Sequence, residues 1–238
     1  PSKELTQISK KTRKRNRVIR KDSYPTFIEH FEELRGRIIK SVFCIVVFSC
    51  LFYSYINDLL PFLIRPIGRV VFTSPPEAFA TKLMLAVWGG AFLSMPFIFY
   101  QIWQFVAVGL KETEKRYIII FIPLSILLFI FGCAFAYWVM LPVMLKFFLS
   151  FSTPQLRPMI TASQYISFLG TIVLSCGLIF ELPLVIVFLT KIGVATPPFL
   201  IEKRRHAIVG ILIISALVTP SLDCISQLLL ALPLIVLY

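Results

Sequence analysis

Long uncharged stretches of apolar residues constrain this chain more than any other feature of its sequence. Residues 117–141 contain no Asp, Glu, Lys or Arg. A helix needs about 20 mainly apolar residues to cross a bilayer, and within lipid the backbone must satisfy its own hydrogen bonds, which favours helices. Only 15% of all residues are charged, against roughly 25% in soluble domains. The sequence therefore predicts an all-α membrane protein.

Comparable apolar segments along the chain predict six membrane-spanning helices. They cover approximately residues 38–56, 79–101, 117–141, 163–190, 206–220 and 224–238. The last two are short and are joined by a tight turn at Thr219-Pro220-Ser221, with one broken re-entrant hairpin as the alternative. Because the chain stops within an apolar run, we expect the final helix to be truncated at Tyr238.

The basic residues predict the orientation in the membrane. Residues 1–40 contain 12 of the 24 Lys and Arg, and residues 1–26 lack an apolar period, which predicts a basic disordered tail. The 102–116 and 191–205 loops contain three and four basic residues, whereas the 57–78 and 142–162 loops contain two each. The positive-inside rule then places the N-terminus on the cytoplasmic side. Because the chain is so apolar, anionic lipid or a partner on that side of the membrane is favoured over nucleic acid as the ligand of these clustered basic residues.

Two acidic clusters lie on this cytoplasmic side. Residues 27–40, FIEHFEELRGRIIK, form a predicted amphipathic helix at the membrane surface that contains Glu32 and Glu33, and the 102–116 loop contains Glu112 and Glu114. Carboxylates in such clusters suit a cationic ligand, with arginine as the natural partner. From spacing alone, pairing within the chain is the favoured alternative, and the available basic residues are Arg35, Arg37, Lys115 and Arg116.

Glu181 is the most unusual single residue, because it lies inside a predicted span. A carboxylate there costs several kcal/mol unless it is paired, protonated or hydrated, which makes it a functional candidate. Pro183 follows closely and leaves a backbone carbonyl unpaired. The alternative is a carboxyl group bonded to neighbouring helices. Asp223 and Gln227, one helical turn apart, form either a polar patch or a helix cap.

No residue pattern typical of an enzyme, a metal site or a cofactor site occurs in the sequence. His30 and Glu33 have the spacing of half a metal site, but no further ligands accompany them. Phosphate-binding loops and nucleophile elbows are absent as well. The hypotheses, in descending order, are a binding receptor, a proton-coupled transporter of small solutes that uses Glu181, and an intramembrane enzyme.

The ordered segments of the chain resemble the TatC family, the multispanning receptor subunits of the twin-arginine (Sec-independent) protein translocase. They include FIEHFEELRGRI, IFYQIWQFVAVGLKETEKR at 98–116, IFELPLVIVFL at 179–189 and LVTPSLDCISQLLLALPL at 217–234. The resemblance covers residues 27–238. It implies a concave, glove-shaped bundle of six helices that binds the signal peptides of folded precursor proteins and nucleates a transport complex driven by the proton-motive force.

The resemblance also implies roles for particular residues. Glu33 and Glu114 would pair with the two arginines of the signal peptide, in a site that is also lined by His30, Arg35 and Phe105. The implied intramembrane polar residues and partner contacts are Glu181, Asp223, Gln227 and Pro66. The expected partners are precursor proteins, membrane lipid, further copies of the chain and single-span subunits of the TatA/TatB type. The expected location is a bacterial inner, thylakoid or mitochondrial inner membrane.

Overall fold

The computed structural model describes residues 27–68, 70–110, 112–153, 159–193, 198, 202–218 and 224–237. The side chains of residues 27–30, 112–114, 218 and 237 are outside this description. The predicted basic tail at 1–26 and the partner-contact candidate Asp223 also lie outside the described residues.

The described residues form helices and no strand beyond one isolated bridge. The helices are α1 (Phe27–Tyr53), α2 (Ile56–Ile64), α3 (Pro75–Val108), α4 (Glu112–Phe135), α5 (Leu141–Ser150), α6 (Ala162–Ile179), α7 (Leu182–Lys191), α8 (Arg204–Val218) and α9 (Cys224–Leu237). A π-helical turn, Ala136–Met140, connects α4 to α5. The all-α membrane fold predicted from the sequence is confirmed.

Four helical segments of the described chain are long and apolar enough to cross a membrane. They are Phe31–Tyr53, Pro75–Val108, Lys115–Ser150 and Ala162–Lys191. The helices α8 and α9 are shorter, with 15 and 14 residues. The predicted surface helix at 27–40 is continuous with the first span: FIEHFEELRGRIIK contains no proline, and the helix runs through Gly36.

The third span extends to Ser150, well beyond the expected end at 141. Pro142 has no backbone N–H to donate, and in a regular α-helix its ring would collide with the carbonyl four residues earlier. The π-helical turn at Ala136–Met140 immediately precedes this proline and loosens the hydrogen-bond ladder there. The helix therefore passes the proline without ending.

Small residues set the spacing between the spans. A Cβ added at Gly90 on α3 would overlap the backbone of Ser49 on α1. Gly132 on α4 faces Gly177 on α6, and a Cβ on Gly132 would lie 3.0 Å from the Gly177 Cα. Close backbone approach at small residues is typical of helix packing in membranes, where there is little hydrophobic drive between helices.

The short helix α2 lies in the predicted 57–78 loop, where the sequence indicated no helix. Its last carbonyls lack partners within the helix, as at every helix end. Backbone N–H groups of the following turn donate to the Phe62 and Ile64 carbonyls. Two tyrosine hydroxyls add further bonds: Tyr137 donates to the Phe62 carbonyl at 3.0 Å and Tyr165 to the Leu63 carbonyl at 2.7 Å. These bonds fix α2 across the end of the bundle opposite to the start of α1.

Candidate functional site

A hydrogen-bonded cluster of Glu33, Arg37 and Gln101, here called the Glu33 cluster, joins the start of α1 to the end of α3. Arg37 donates to Glu33 Oε1 from Nε at 3.1 Å and from Nη2 at 2.6 Å. Its third donor, Nη1, reaches Gln101 Oε1 at 3.0 Å. The side chains of Glu33 and Arg37 are 31% and 19% exposed, and Gln101 is 8% exposed. A charged pair is thus held partly out of water at one end of the bundle.

The local sequence explains why this cluster forms. Glu33 and Arg37 are four residues apart, so a helix places them on one face, with the acidic residue first, which is the favoured order. Gln101 lies in the last two turns of α3, where a polar amide interrupts an apolar helix. Among the alternatives from the sequence, the pairing of Glu33 with Arg37 within the chain is what the structure shows.

Both hydrogen bonds to Glu33 use the same carboxylate oxygen. In the described part of the chain, Oε2 has no hydrogen-bond donor. An ionised carboxylate has acceptor positions on both oxygens and accepts bidentate guanidinium groups. The Glu33 cluster is therefore compatible with a second cation on the free oxygen while Arg37 stays in place.

The other residues predicted for this site lie on elements at the same end of the bundle. Arg35 is exposed on α1, and Phe105 is half-buried near the end of α3. Glu114 is the third residue of α4, which begins four residues after α3 ends. The backbone of His30 is in the first turn of α1, and the side chains of His30 and Glu114 are outside the described residues.

Glu181 lies at the break between α6 and α7, within the fourth span. It occupies the N-cap position of α7, and Pro183 stands in the first turn of that helix. The Glu181 carboxyl group contacts the hydroxyl of Ser125, which accepts a hydrogen bond from Trp103 Nε1 at 2.8 Å. Its Oε1 atom is buried and has no hydrogen-bond partner among the residues that the structure describes. The structure thus links α3, α4 and α7 through polar atoms inside the span.

The remaining predicted residues lie away from the Glu33 cluster. Pro66 is exposed in the turn that follows α2. Gln227 on α9 donates from Nε2 to the Leu212 carbonyl on α8 at 3.0 Å, which ties the two short helices together. No cluster of three or more His, Cys, Asp and Glu side chains that would hold a metal ion occurs among the described residues.

Sequence reasoning did not assign a role to Gln101, Ser125 or Trp103. Gln101 and Ser125 are polar side chains within apolar helices, and both are buried. A buried polar group needs a hydrogen-bond partner, so a polar residue in an otherwise apolar span was the available indication. Their partners are distant in sequence: 64 residues separate Gln101 from Arg37, and 22 separate Ser125 from Trp103.

Helices of membrane-spanning length, a charged cluster at one end and a carboxyl group within a span define a polytopic membrane protein of the binding or transport class. Residues 29–233 match the family described as Sec-independent protein translocase protein (TatC). The chain therefore belongs to the TatC family, whose members are components of a protein translocase.

Individual relatives agree with this assignment. A Sec-independent protein translocase protein TatC from Carboxydothermus hydrogenoformans is 41% identical over 221 residues, which covers 91% of each chain. The TatC protein of Desulforapulum autotrophicum is 34% identical over 226 residues, covering 92% of this chain and 83% of the relative.

A crystal structure of the twin-arginine translocase receptor TatC in the detergent DDM superposes with a TM-score of 0.78 at 34% identity. The superposition covers 88% of this chain and 96% of that one. The predicted resemblance is confirmed. None of these findings supports the alternative of a proton-coupled solute transporter.

Proposed function

We propose that this chain is the receptor subunit of a twin-arginine translocase and binds the signal peptides of folded precursor proteins at the Glu33 cluster. The observation that carries the proposal is the state of the Glu33 carboxylate. It is held at 31% exposure by two hydrogen bonds from Arg37 on Oε1, and its Oε2 has no donor in the described residues. A guanidinium group from a peptide has a defined acceptor there.

Arginine is the ligand that this site favours. Guanidinium is planar and can donate two hydrogen bonds to a single carboxylate oxygen, as Arg37 does to Glu33 Oε1, whereas a lysine ammonium is a compact point charge that is strongly hydrated. Two unit charges 4 Å apart attract by about 4 kcal/mol at an effective dielectric constant of 20, before desolvation is subtracted. The partial burial of Glu33 therefore makes the geometry of the cation matter.

Two consecutive arginines require a second acceptor at the same end of the bundle. Glu114 supplies it in this proposal, because α4 starts close in sequence to the end of α3, and Gln101 near that end contacts Arg37. Arg35, His30 and Phe105 would line the same site. Arg35 is exposed on α1, so it is accessible to the polar part of a bound peptide.

The rest of the proposal concerns orientation and partners. The start of α1 faces the cytoplasm, stroma or matrix of an energy-transducing membrane, as the excess of basic residues at 1–40 indicates. Single-span subunits of the TatA/TatB type would dock near Asp223 and Gln227, further copies of the chain would associate, and the proton-motive force would drive transport. Glu181 and Pro66 would contribute polar and outer-side contacts.

Site-specific photo-crosslinking in native membranes tests the receptor function. Gly36 lies three residues after Glu33 on α1, and a Cβ there would meet no atom within 4 Å, so a photoreactive residue fits. Gly210 on α8 is equally open and serves as the control position. The substrate is a radiolabelled precursor with Arg-Arg or Lys-Lys in its signal peptide.

We expect a crosslink from position 36 with the Arg-Arg precursor, its loss with the Lys-Lys precursor, and none from position 210 with either. Equal crosslinking of both precursors at position 36 would show that the site does not distinguish arginine from lysine. Crosslinking from position 210 alone would place peptide binding elsewhere in the molecule. Either result would contradict the proposal.

A further inference from the structure

An apolar cavity of about 390 Å³ lies between α2, α3, α4 and α6 at the end of the bundle opposite to the Glu33 cluster. For comparison, an apolar cavity of about 150 Å³ in another protein binds benzene. Among its lining side chains, Tyr137 has a hydroxyl group, and this hydroxyl is already bonded to the Phe62 carbonyl. The cavity thus offers an occupant apolar contacts and no unmet hydrogen bond from that tyrosine.

The rim of the cavity consists of exposed apolar side chains. Leu93 is 49% exposed, Ile130 61% and Trp138 69%, and all three line the cavity. In a chain that crosses a membrane, such exposed apolar side chains face hydrocarbon. An unfilled cavity loses the dispersion contacts of its lining atoms. The bilayer therefore supplies the material best able to fill the cavity, which is a lipid acyl chain.

An arginine, Arg65, lies beside one of the side chains that line the cavity. The Arg65 Cζ atom lies 5.9 Å from the centre of the Phe62 ring, and Phe62 lines the cavity and stacks on Tyr137 at 5.4 Å. Arg65 is exposed, and no described carboxylate forms an ion pair with it. Tyr and Trp side chains such as Tyr137 and Trp138 are enriched where a membrane meets water. A position of Arg65 beside these aromatic side chains therefore suits contact with a lipid headgroup.

From the apolar cavity and the exposed cation beside it, which pairs with no described carboxylate, we infer that this part of the molecule is a binding site for one anionic phospholipid. One acyl chain fills the cavity between α3 and α4, and the headgroup phosphate pairs with the Arg65 guanidinium. Arginine and phosphate form bidentate, charge-assisted hydrogen bonds. This site shares no residue with the Glu33 cluster, where signal-peptide binding is proposed, and lies towards the other end of the bundle.

Photoreactive phospholipids test this site in the unaltered chain. Phosphatidylglycerol and phosphatidylcholine, each with a diazirine at the end of one acyl chain, are added at low mole fraction to phosphatidylcholine vesicles containing the protein. Labelled residues are mapped by mass spectrometry. Labelling at Leu93 and Ile130 is divided by labelling at Phe43, which is 68% exposed on α1 and reports contact with bulk lipid.

We expect the cavity-to-Phe43 ratio to be about fivefold higher for phosphatidylglycerol, corresponding to the roughly 1 kcal/mol that one basic side chain contributes near anionic lipid. Arg65→Gln should lower this ratio to that of phosphatidylcholine. Arg116→Gln is the matched control, since Arg116 also lies over an aromatic ring, Tyr117, at 5.4 Å but at the other end of the bundle. It should leave the ratio unchanged.

Three results would overturn the inference. Equal ratios for the two lipids would show that the headgroup is not recognised. An equal decrease in Arg65→Gln and Arg116→Gln would show a general effect of charge. Absence of labelling at Leu93 and Ile130 with both lipids, with normal labelling at Phe43, would show that protein and not lipid fills the cavity.

Discussion

Replacing Glu33 by glutamine removes the charge of the proposed arginine acceptor and nearly preserves its shape. In the structure this carboxylate receives both Nε and Nη2 of Arg37, and Gln101 holds the third donor independently. In the Glu33→Gln variant, Gln101 would therefore still hold Arg37 in place. The main loss is the charged acceptor on Oε2 that a peptide arginine would use.

The magnitude follows from the type of hydrogen bond that is lost. A hydrogen bond to a charged group contributes about 1.5–3 kcal/mol, and each 1.4 kcal/mol corresponds to a tenfold change in affinity. We therefore expect Glu33→Gln to weaken binding of an Arg-Arg signal peptide by about 10- to 150-fold. The change should be much smaller for a Lys-Lys peptide, because its binding lacks the bidentate contact.

The assay is fluorescence anisotropy of a labelled signal peptide with the protein in lipid nanodiscs. Glu202→Gln is the matched control: Glu202 also pairs with a basic residue, Lys203, at 3.1 Å, but its side chain is 72% exposed and lies before α8. Such an exposed pair contributes little, so Arg-Arg binding should change by less than about twofold. Unchanged Arg-Arg affinity in Glu33→Gln, with the protein folded, would refute the assignment of Glu33.

Two further predictions follow from other parts of the structure. Gln101→Leu removes the acceptor of Arg37 Nη1, a hydrogen bond that contributes about 1 kcal/mol. We therefore expect the Arg-Arg peptide to bind roughly fivefold more weakly in the same assay. An affinity equal to that of the unaltered protein would show that Gln101 does not position the Glu33 cluster. At 1.5 Å per residue, the 15 residues of α8 span roughly 23 Å, less than the roughly 30 Å of hydrocarbon. Spin-labelled lipids should therefore be less ordered near Leu217 on α8 than near Phe43 on α1, and equal order at the two positions would exclude local thinning of the bilayer.

The spans were predictable from sequence because a bilayer imposes one simple condition on them. An uncharged apolar segment in lipid must pair its own backbone, so length and composition suffice to identify it as a helix. The ends of the helices were less predictable. The predicted span covered about 117–141, yet the π-helical turn before Pro142 allows the helix to reach Ser150. Composition does not reveal where a helix absorbs a proline.

The helix α2 shows a different limit. Its segment contains Pro61 and is followed by Pro66 and Gly68, a composition typical of a loop. The carbonyls of Phe62 and Leu63 at its end accept hydrogen bonds from Tyr137 and Tyr165, which are 75 and 102 residues away in the sequence. A local window contains none of these partners. Tertiary hydrogen bonds thus stabilise a helix that its own sequence does not favour.

In the candidate site too, contacts within one helix were predictable from the sequence and contacts between helices were not. The pairing of Glu33 with Arg37 follows from a four-residue spacing on one helix and was accessible to sequence reasoning. Gln101 was not, since its contact with Arg37 depends on how α1 packs against α3. That contact also changes what the pairing means. A salt bridge on an exposed helix would only neutralise the charge of Glu33. Here Arg37 is held by the buried Gln101 amide and bonds only Oε1 of Glu33, so Oε2 keeps a fixed orientation and has no donor among the described residues. The sequence offered two alternatives for Glu33, pairing within the chain and binding of a cationic ligand. They are compatible, because they use different oxygens of the same carboxylate.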